Sequence, residues 1–304
     1  MTTSRTAKRR TRRDGGGSAA RRQDRAEGAG SGPSTAIWPG VKGGSYRPLS
    51  DSDIEQVNQT AMRILAEIGL HDATPRCIET VTAAGGTLTD DGRLLMPTKL
   101  VEETLAVAGR GFKLYAQDPA FDLDPSSTRI HLGTSGAGVH MIDNETRQVR
   151  DSLLRDLYDM ARLANVLPNI HMFQRTVVPR DIPDAREMDL NTVYACLKGT
   201  RKPVGTSFMS PAHLDEAMIM FHLIAGDEAA FRARPFVCVS TCFIVPPLRF
   251  AEEALGVIEQ AAAHGVPLKL VSAGQAGATK KSMAFLYLGI RLLDKNERHP
   301  SGDE

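Results

Sequence analysis

The sequence predicts an α/β protein built around a parallel sheet, and three observations lead there. The first is the stretch from Pro235 to Thr279. Pro235-Phe-Val-Cys-Val-Ser-Thr-Cys-Phe243 reads as a strand, Phe250 to His264 as a helix stopped by Gly265, and Pro267-Leu-Lys-Leu-Val-Ser272 as a second strand. Short β-branched runs on either side of a helix make a βαβ unit, whose parallel strands are buried on both faces. The second observation is rhythm. From Asp151 onward helical and strand patterns alternate, as crossover helices over a parallel sheet require. The third is that both strands of the βαβ unit turn polar at their C-terminal ends, at Ser240-Thr241-Cys242 and at Ser272. Parallel α/β folds carry their sites on that edge.

Taken in order, residues 1–36 are Arg, Gly and Ser with almost no apolar residue, a composition that predicts a disordered basic arm. Order begins near Trp38. Ser50-Asp-Ser-Asp53 forms a capping box, and Ile54, Val57, Ala61, Ile64, Leu65 and Ile68 then recur at helical spacing up to Gly69. Thr74-Pro75 opens a shorter helix, Asp91-Gly92 marks a hairpin between Leu88 and Leu95, and Met96-Pro97-Thr98 leads into a third helix. Phe112–Tyr115, Arg129–Leu132 and Val139–Ile142 read as strands, which closes an N-terminal α+β subdomain over 37–128.

A helix through Leu153–Ala161 is followed by a strand at Ile170–Val177, a helix across Ala185–Leu197, a strand at Lys202–Phe208, a helix at Ala212–Leu223 and then the βαβ unit. With a first strand near Ile130, residues 129–279 hold about five strands and four crossover helices, roughly half of an eight-fold barrel, which needs at least ~200 residues. After Thr279 the rhythm stops; 280–304 is one helical run and a polar tail. The patterns leave two architectures open, an open sheet or a barrel that this chain does not finish. An unfinished barrel would leave strand edges unpaired and favour a homo-oligomer.

The formal charge of +1 conceals an asymmetry. Nine of the 37 Lys/Arg and three of the 36 Asp/Glu lie in residues 1–36, so the body carries 28 against 33, a mildly acidic −5. That body does not suggest a nucleic-acid surface, and the arm lacks the aromatics that usually interleave with charge in one. Cys77, Cys196, Cys238 and Cys242 make no CxxC pair, and free thiols in a reducing cytoplasm are the simplest reading. No apolar run reaches the ~20 residues of a membrane helix, and the early Arg pairs are not followed by a secretory apolar region. The expectation is a soluble, cytoplasmic protein.

Familiar motifs fail on inspection. Gly274-Gln-Ala-Gly-Ala-Thr-Lys-Lys-Ser282 departs from a phosphate-binding loop at Thr279 and Lys281. Gly133-Thr-Ser-Gly-Ala-Gly138 leads to a strand and reads as a turn. The eight histidines show no metal-ligand spacing, so no metal site is expected, and His131 and His140 read as structural. What remains is a set of polar residues at strand ends: Gln174 and Arg175, Thr206 and Ser207, Ser240 and Thr241, Ser272 and Gln275, with Phe173, Phe208 and Phe243 between them. Hydroxyls at strand ends often only cap the next helix. The mixture of amide and aromatic groups nevertheless suits a small cationic or amphipathic ligand.

Several stretches resemble the trimethylamine methyltransferase family, the corrinoid-dependent methylamine and betaine methyltransferases. They are Ile64-Leu-Ala-Glu-Ile-Gly69, Val139-His-Met-Ile-Asp143, Leu163-Ala-Asn-Val-Leu-Pro-Asn-Ile170, Lys202-Pro203 and Val271-Ser-Ala-Gly-Gln-Ala-Gly-Ala-Thr279, and together they span about residues 45 to 279. The resemblance implies an incomplete (β/α)8 barrel of the TIM type over 129–279, with 280–304 a divergent tail. It implies transfer of a methyl group from a methylated, quaternary amine to the Co(I) of a corrinoid carried by a partner protein, with no cofactor or zinc bound by the chain itself. Family members continue past the Gly-Ala-Thr loop, so this chain is expected to be an inactive fragment. The archetype's pyrrolysine belongs to the missing half. A non-catalytic remnant, a partner-dependent α/β protein and an unrelated barrel enzyme are the alternatives. The residues expected to line the amine site are Gln174, Ser207, Thr241, Ser272 and Gln275, as positioning groups rather than general bases; no catalytic residue is assigned.

Overall fold

A computed structural model describes residues 41–42, 48–108, 112–126 and 129–271 of this chain. The N-terminal elements are strand β1 (Val41–Lys42), helix α1 (Asp51–Arg63), strand β2 (Leu70–His71), helix α2 (Pro75–Ala83), strands β3 (Thr87–Leu88) and β4 (Arg93–Leu95), and helix α3 (Thr98–Val107). The capping box forms as expected: Ser50 Oγ accepts from the Asp53 amide at 3.2 Å and Asp53 Oδ2 accepts from the Ser50 amide at 3.0 Å. The apolar periodicity runs through a π-helical turn, Ile64–Ile68, before it breaks at Gly69. Gly92 takes φ 81° in the β3–β4 hairpin, the left-handed backbone its turn needs.

Next come strands β5 (Arg129–Ile130), β6 (His140–Ile142) and β7 (Val149–Asp151), helix α4 (Leu154–Val166), strand β8 (Phe173–Gln174), helix α5 (Ala185–Gly199), strand β9 (Val204–Thr206), helices α6 (Pro211–Ala225) and α7 (Glu228–Ala233), strand β10 (Val237–Thr241), strands β11 (Ile244–Val245) and β12 (Arg249–Phe250), helix α8 (Glu252–His264) and strand β13 (Leu268–Leu270). The mixed α/β class is as read from the sequence.

Strands β8, β9, β10 and β13 form one parallel sheet in chain order. The expected first strand at 129–132 is displaced. Ile130 pairs antiparallel with Val41, and the place beside β8 is taken by 133–138, bridged in parallel at Gly133↔Met172 and Gly138↔Val177. The Gly-rich stretch read as a turn is therefore a sheet edge. Thr134 replaces ladder bonds with its side chain: Oγ1 donates to the Gln174 carbonyl at 2.6 Å and accepts from the Gln174 amide at 2.8 Å. A hydroxyl doing backbone work hides the strand from any pattern of alternation.

The sheet order never reverses. Consecutive helices are neighbours, α4 on α5, α5 on α6, α6 on α8, and one core holds their inner faces against Phe173, Val204, Val237 and Val239. All crossovers thus lie on one side of the sheet, as right-handed connections between successive neighbours demand. Lys202, 1% exposed, closes the end of α4 by donating its ammonium to the Ala164, Leu167 and Ile170 carbonyls at 2.7, 2.7 and 2.6 Å. Burial lowers its pKa, and three carbonyls satisfy a charge that would otherwise be costly there.

A second core joins the N-terminal elements to the β10–α8 connection. Leu65, Leu70 and Leu94 pack with Ile244, Leu248, Phe250 and Leu255. The β11–β12 hairpin, absent from the sequence reading, adds to a sheet of order β11-β12-β2-β4-β3. Arg249 seals the junction with an ion pair to Asp72. No helix of the described residues is long and apolar enough to cross a membrane.

Candidate functional site

Strand parity sorts the parallel sheet into two faces. Val237 and Val239, Val204, Phe173 and Leu268 pack with the helices. The alternate residues, Gln174 on β8, Gly205 on β9, Cys238 and Ser240 on β10 and Lys269 on β13, face the other way, as a pleat of period two requires. Registers agree: Gln174 pairs with Gly205, Gly205 with Cys238, and Ser240 with Lys269. Ser207 stands one step beyond the paired residues Val239↔Thr206, on the parity of Gly205 and level with Ser240.

Gly205 is what lets these groups meet. The Gln174 side chain crosses β9 over the bare glycine, where an added Cβ would overlap Gln174 Oε1. Its Oε1 then accepts from Ser240 Oγ at 3.2 Å. An amide whose oxygen is so engaged leaves its two N–H donors for another partner. Cys238 lies beside them; burial raises its thiol pKa, while Lys269 pulls the other way. A thiol so placed is a neutral group and not a nucleophile.

The residues expected from sequence divide three ways. Gln174 and Ser207 stand on this face. Thr241 does not: on the parity of Val239, it is 8% exposed, and its hydroxyl donates to the Ala254 carbonyl at 3.4 Å in the helix layer. Ser240 takes the inner position in its stead. Ser272 and Gln275 lie outside the described residues, as does the glycine-rich stretch 274–282. The aromatic set also falls elsewhere. Phe173 and Phe208 belong to the helix-side core, and Phe243 stacks on Phe250 with centroids 6.4 Å apart. Two of the thiols read as strand residues differ in the same way, since Cys238 is buried and Cys242, just past β10, is exposed.

Sequence reasoning missed three features. One is Lys269, a lone cation in an apolar strand. The second is the support for the β9–α6 connection: Asp189 Oδ2, on α5, accepts from both the Met209 amide and His213 Nδ1 at 2.7 Å. One carboxylate oxygen thereby pins the segment that carries Ser207. Burial lowers the Arg175 pKa, and the charge of that carboxylate works the other way. The third is the contact between His131 and His171, edge to face with centroids 5.2 Å apart. His140 is exposed, its Nε2 3.5 Å from Asp151. Among the described residues, no group of three or more His, Cys, Asp or Glu is placed to hold a metal ion.

A chain-ordered parallel sheet with helices on one side and polar groups gathered on the other defines an α/β protein, and the face away from the helices is the candidate site. Comparison with known proteins supplies the family. A model of trimethylamine methyltransferase matches residues 14–282, and the chain belongs to that family. It is 24% identical over 240 residues to a trimethylamine methyltransferase of Desulfitobacterium hafniense, covering 79% of this chain and 48% of the relative. It is 25% identical over 235 residues to a glycine betaine methyltransferase of the same species, covering 77% and 48%. With a trimethylamine methyltransferase of Methanosarcina barkeri it shares 24% over 264 residues, covering 84% and 51%. The chain spans about half the length of the curated relatives it matches. The match begins N-terminal to the residue-45 start suggested by the sequence motifs.

Proposed function

We propose that this chain is the N-terminal share of a methyltransferase that moves a methyl group from a methylated, quaternary amine to the Co(I) of a corrinoid carried by a partner protein. The observation that carries the reading is the sheet itself. Its strands follow one another in chain order with every crossover on one side, which is how a (β/α)8 barrel begins and not how a doubly wound sheet is built around a switch point. On this reading 129–279 is part of a barrel, 37–128 a subdomain that holds the β10–α8 connection, and 1–36 a basic arm. The inner face, with Gln174, Ser207 and Ser240, is the near wall of the amine site, and Ser272 and Gln275 extend it.

The chemistry asks little of these residues beyond placement. The corrinoid supplies a nucleophile strong enough to displace an amine. The C–N bonding pair leaves with nitrogen as a neutral tertiary amine, so no proton has to be delivered to the leaving group. Orientation of the C–N bond then carries much of the barrier reduction, and the hydrogen-bonding groups of Gln174, Ser207 and Ser240 provide it. The partner corrinoid protein, a cytoplasmic location and self-association of an unpaired sheet belong to the same proposal.

The test uses the chain completed by the C-terminal half of a relative, with methyl transfer followed by the absorbance change from Co(I) to methyl-Co(III). Gln174→Ala and Ser240→Ala should each lower kcat/KM by about tenfold, the scale of one lost hydrogen bond to an oriented substrate. Thr241→Ala should stay within about twofold of the parent, since its hydroxyl faces α8. A large loss from Thr241→Ala with none from Ser240→Ala would reverse the assignment of faces. Failure of the completed enzyme with every methylated amine would remove the function.

A further inference from the structure

The outer faces of helices α5 and α6 carry large apolar side chains that the fold leaves uncovered. Tyr194 on α5 is 56% exposed, and Ile219 and Leu223, one turn apart on α6, are 71% and 81% exposed. Between the two helices runs a groove of about 450 Å³ lined by Tyr194, Leu197, Met220, Leu223 and Ile224. Single exposed apolar residues are ordinary, but a contiguous patch of them marks a docking surface. The parallel sheet ends at β13 on one side and at 133–138 on the other. Strands added at either edge would bring their helices beside α8 or α4, so extending the sheet leaves the α5–α6 face bare.

Charge identifies what fits this face. Both helices return from the C-terminal to the N-terminal edge of the sheet, so they run in the same direction. They also end at the same level, since Lys198 and Arg201 at the end of α5 line the groove together with Leu223 and Ile224 at the end of α6. Asp227 and Glu228 follow α6 directly and are exposed. The patch therefore has an apolar centre, a basic rim where α5 ends and an acidic rim where α6 ends. Such a pattern is complementary to itself. A two-fold axis parallel to the helices sets α5 of one copy against α6 of the other, with each basic rim opposite an acidic one.

We propose that the α5–α6 face docks a second copy of this chain. Leu223 of each copy enters the groove of the other, and Lys198 and Arg201 of each face Asp227 and Glu228 of the other. Because one patch serves both copies, the contact closes at two. It is separate from any pairing of sheet edges and does not depend on the methyl-transfer reading. The apolar centre supplies the affinity, while the rims, being exposed, set orientation and weaken with salt.

The experiment is sedimentation equilibrium of the 304-residue chain at about 50 μM, above the Kd expected of an interface of standard size. The parent should be a dimer. Leu223→Asp should raise the dimer Kd by more than about a hundredfold, with an unchanged urea midpoint because the side chain is exposed. Lys198→Glu and Glu228→Lys should each dimerise about tenfold more weakly, two exposed ion pairs having become repulsions. An equimolar mixture of those two variants should regain the parent's affinity, since every rim pair in the mixed dimer is again of opposite sign. A monomeric parent would overturn the proposal and leave the face to a different partner. Self-association untouched by Leu223→Asp would overturn it in favour of the sheet edges. No gain on mixing would overturn the pairing of the rims.

Discussion

At the scale of single residues, buried polar groups on this chain are held in one protonation state by geometry. His171 is 6% exposed, and its Nδ1 accepts from the Leu132 amide at 3.0 Å. A ring nitrogen that accepts a backbone N–H is deprotonated, so the folded form requires neutral imidazole. Burial lowers the pKa, and the facing groups, His131 and Lys202, push the same way. An unfolded histidine titrates near 6.5, so the unfolded chain takes up the proton first as pH falls. The stability His171 contributes is therefore complete above about pH 6.5 and is lost as pH drops toward the lower folded value. The urea midpoint of the parent chain should fall between pH 7 and pH 5, and that of His171→Gln should fall by visibly less; parallel pH profiles would contradict this. Such pairings are invisible in a sequence, where His131 and His171 are forty positions apart along the chain, His131 reads as a structural residue and His171 is one position of a strand. The capping box at Ser50 was legible because both its partners lie within three positions. The choice between Ser240 and Thr241 was not, because a parallel strand is apolar on both faces and carries no alternation from which to count.

At the scale of elements, α4 and α5 are in close contact at Gly199, where an added Cβ would overlap the Ala161 Cβ and crowd the Tyr158 carbonyl. Both helices are fixed from below by the sheet, so neither can move away freely. Gly199→Ala should cost about 1–3 kcal/mol through overpacking, read as a lower urea midpoint with an unchanged slope. A neutral or stabilising result would mean that the helices are not seated as described. Helices α4, α5, α6 and α8 and strands β8, β9, β10 and β13 were foreseen, because apolar periodicity and the length of each run are local properties; the short α7 was not. Their ends shifted by a few residues. The β11–β12 hairpin was missed for a physical reason: its two-residue strands, Ile244–Val245 and Arg249–Phe250, are too short to show alternation, and β12 joins β2 only at Arg249↔His71, far earlier in sequence. Nor could alternation reveal the 133–138 edge, whose contacts with 172–178 combine the Thr134 hydroxyl with backbone bonds such as the Gly138 amide to the Thr176 carbonyl.

At the scale of the whole molecule, the sheet is the organising object, and its two faces have separate duties. One buries valines and phenylalanines under four crossover helices; the other spends its positions on an amide, two hydroxyls, a thiol and a lysine around a glycine that makes room for them. The family's reaction belongs to a protein about twice this length, and the proposal assigns this chain one wall of its site. The most direct measurement is methyl transfer to a reduced corrinoid protein, with glycine betaine as donor, by the 304-residue chain alone and by the same chain mixed with the separately produced C-terminal half of a relative. The account predicts no methyl-Co(III) from the chain alone and its formation when both halves are present. Turnover by the chain alone would contradict it.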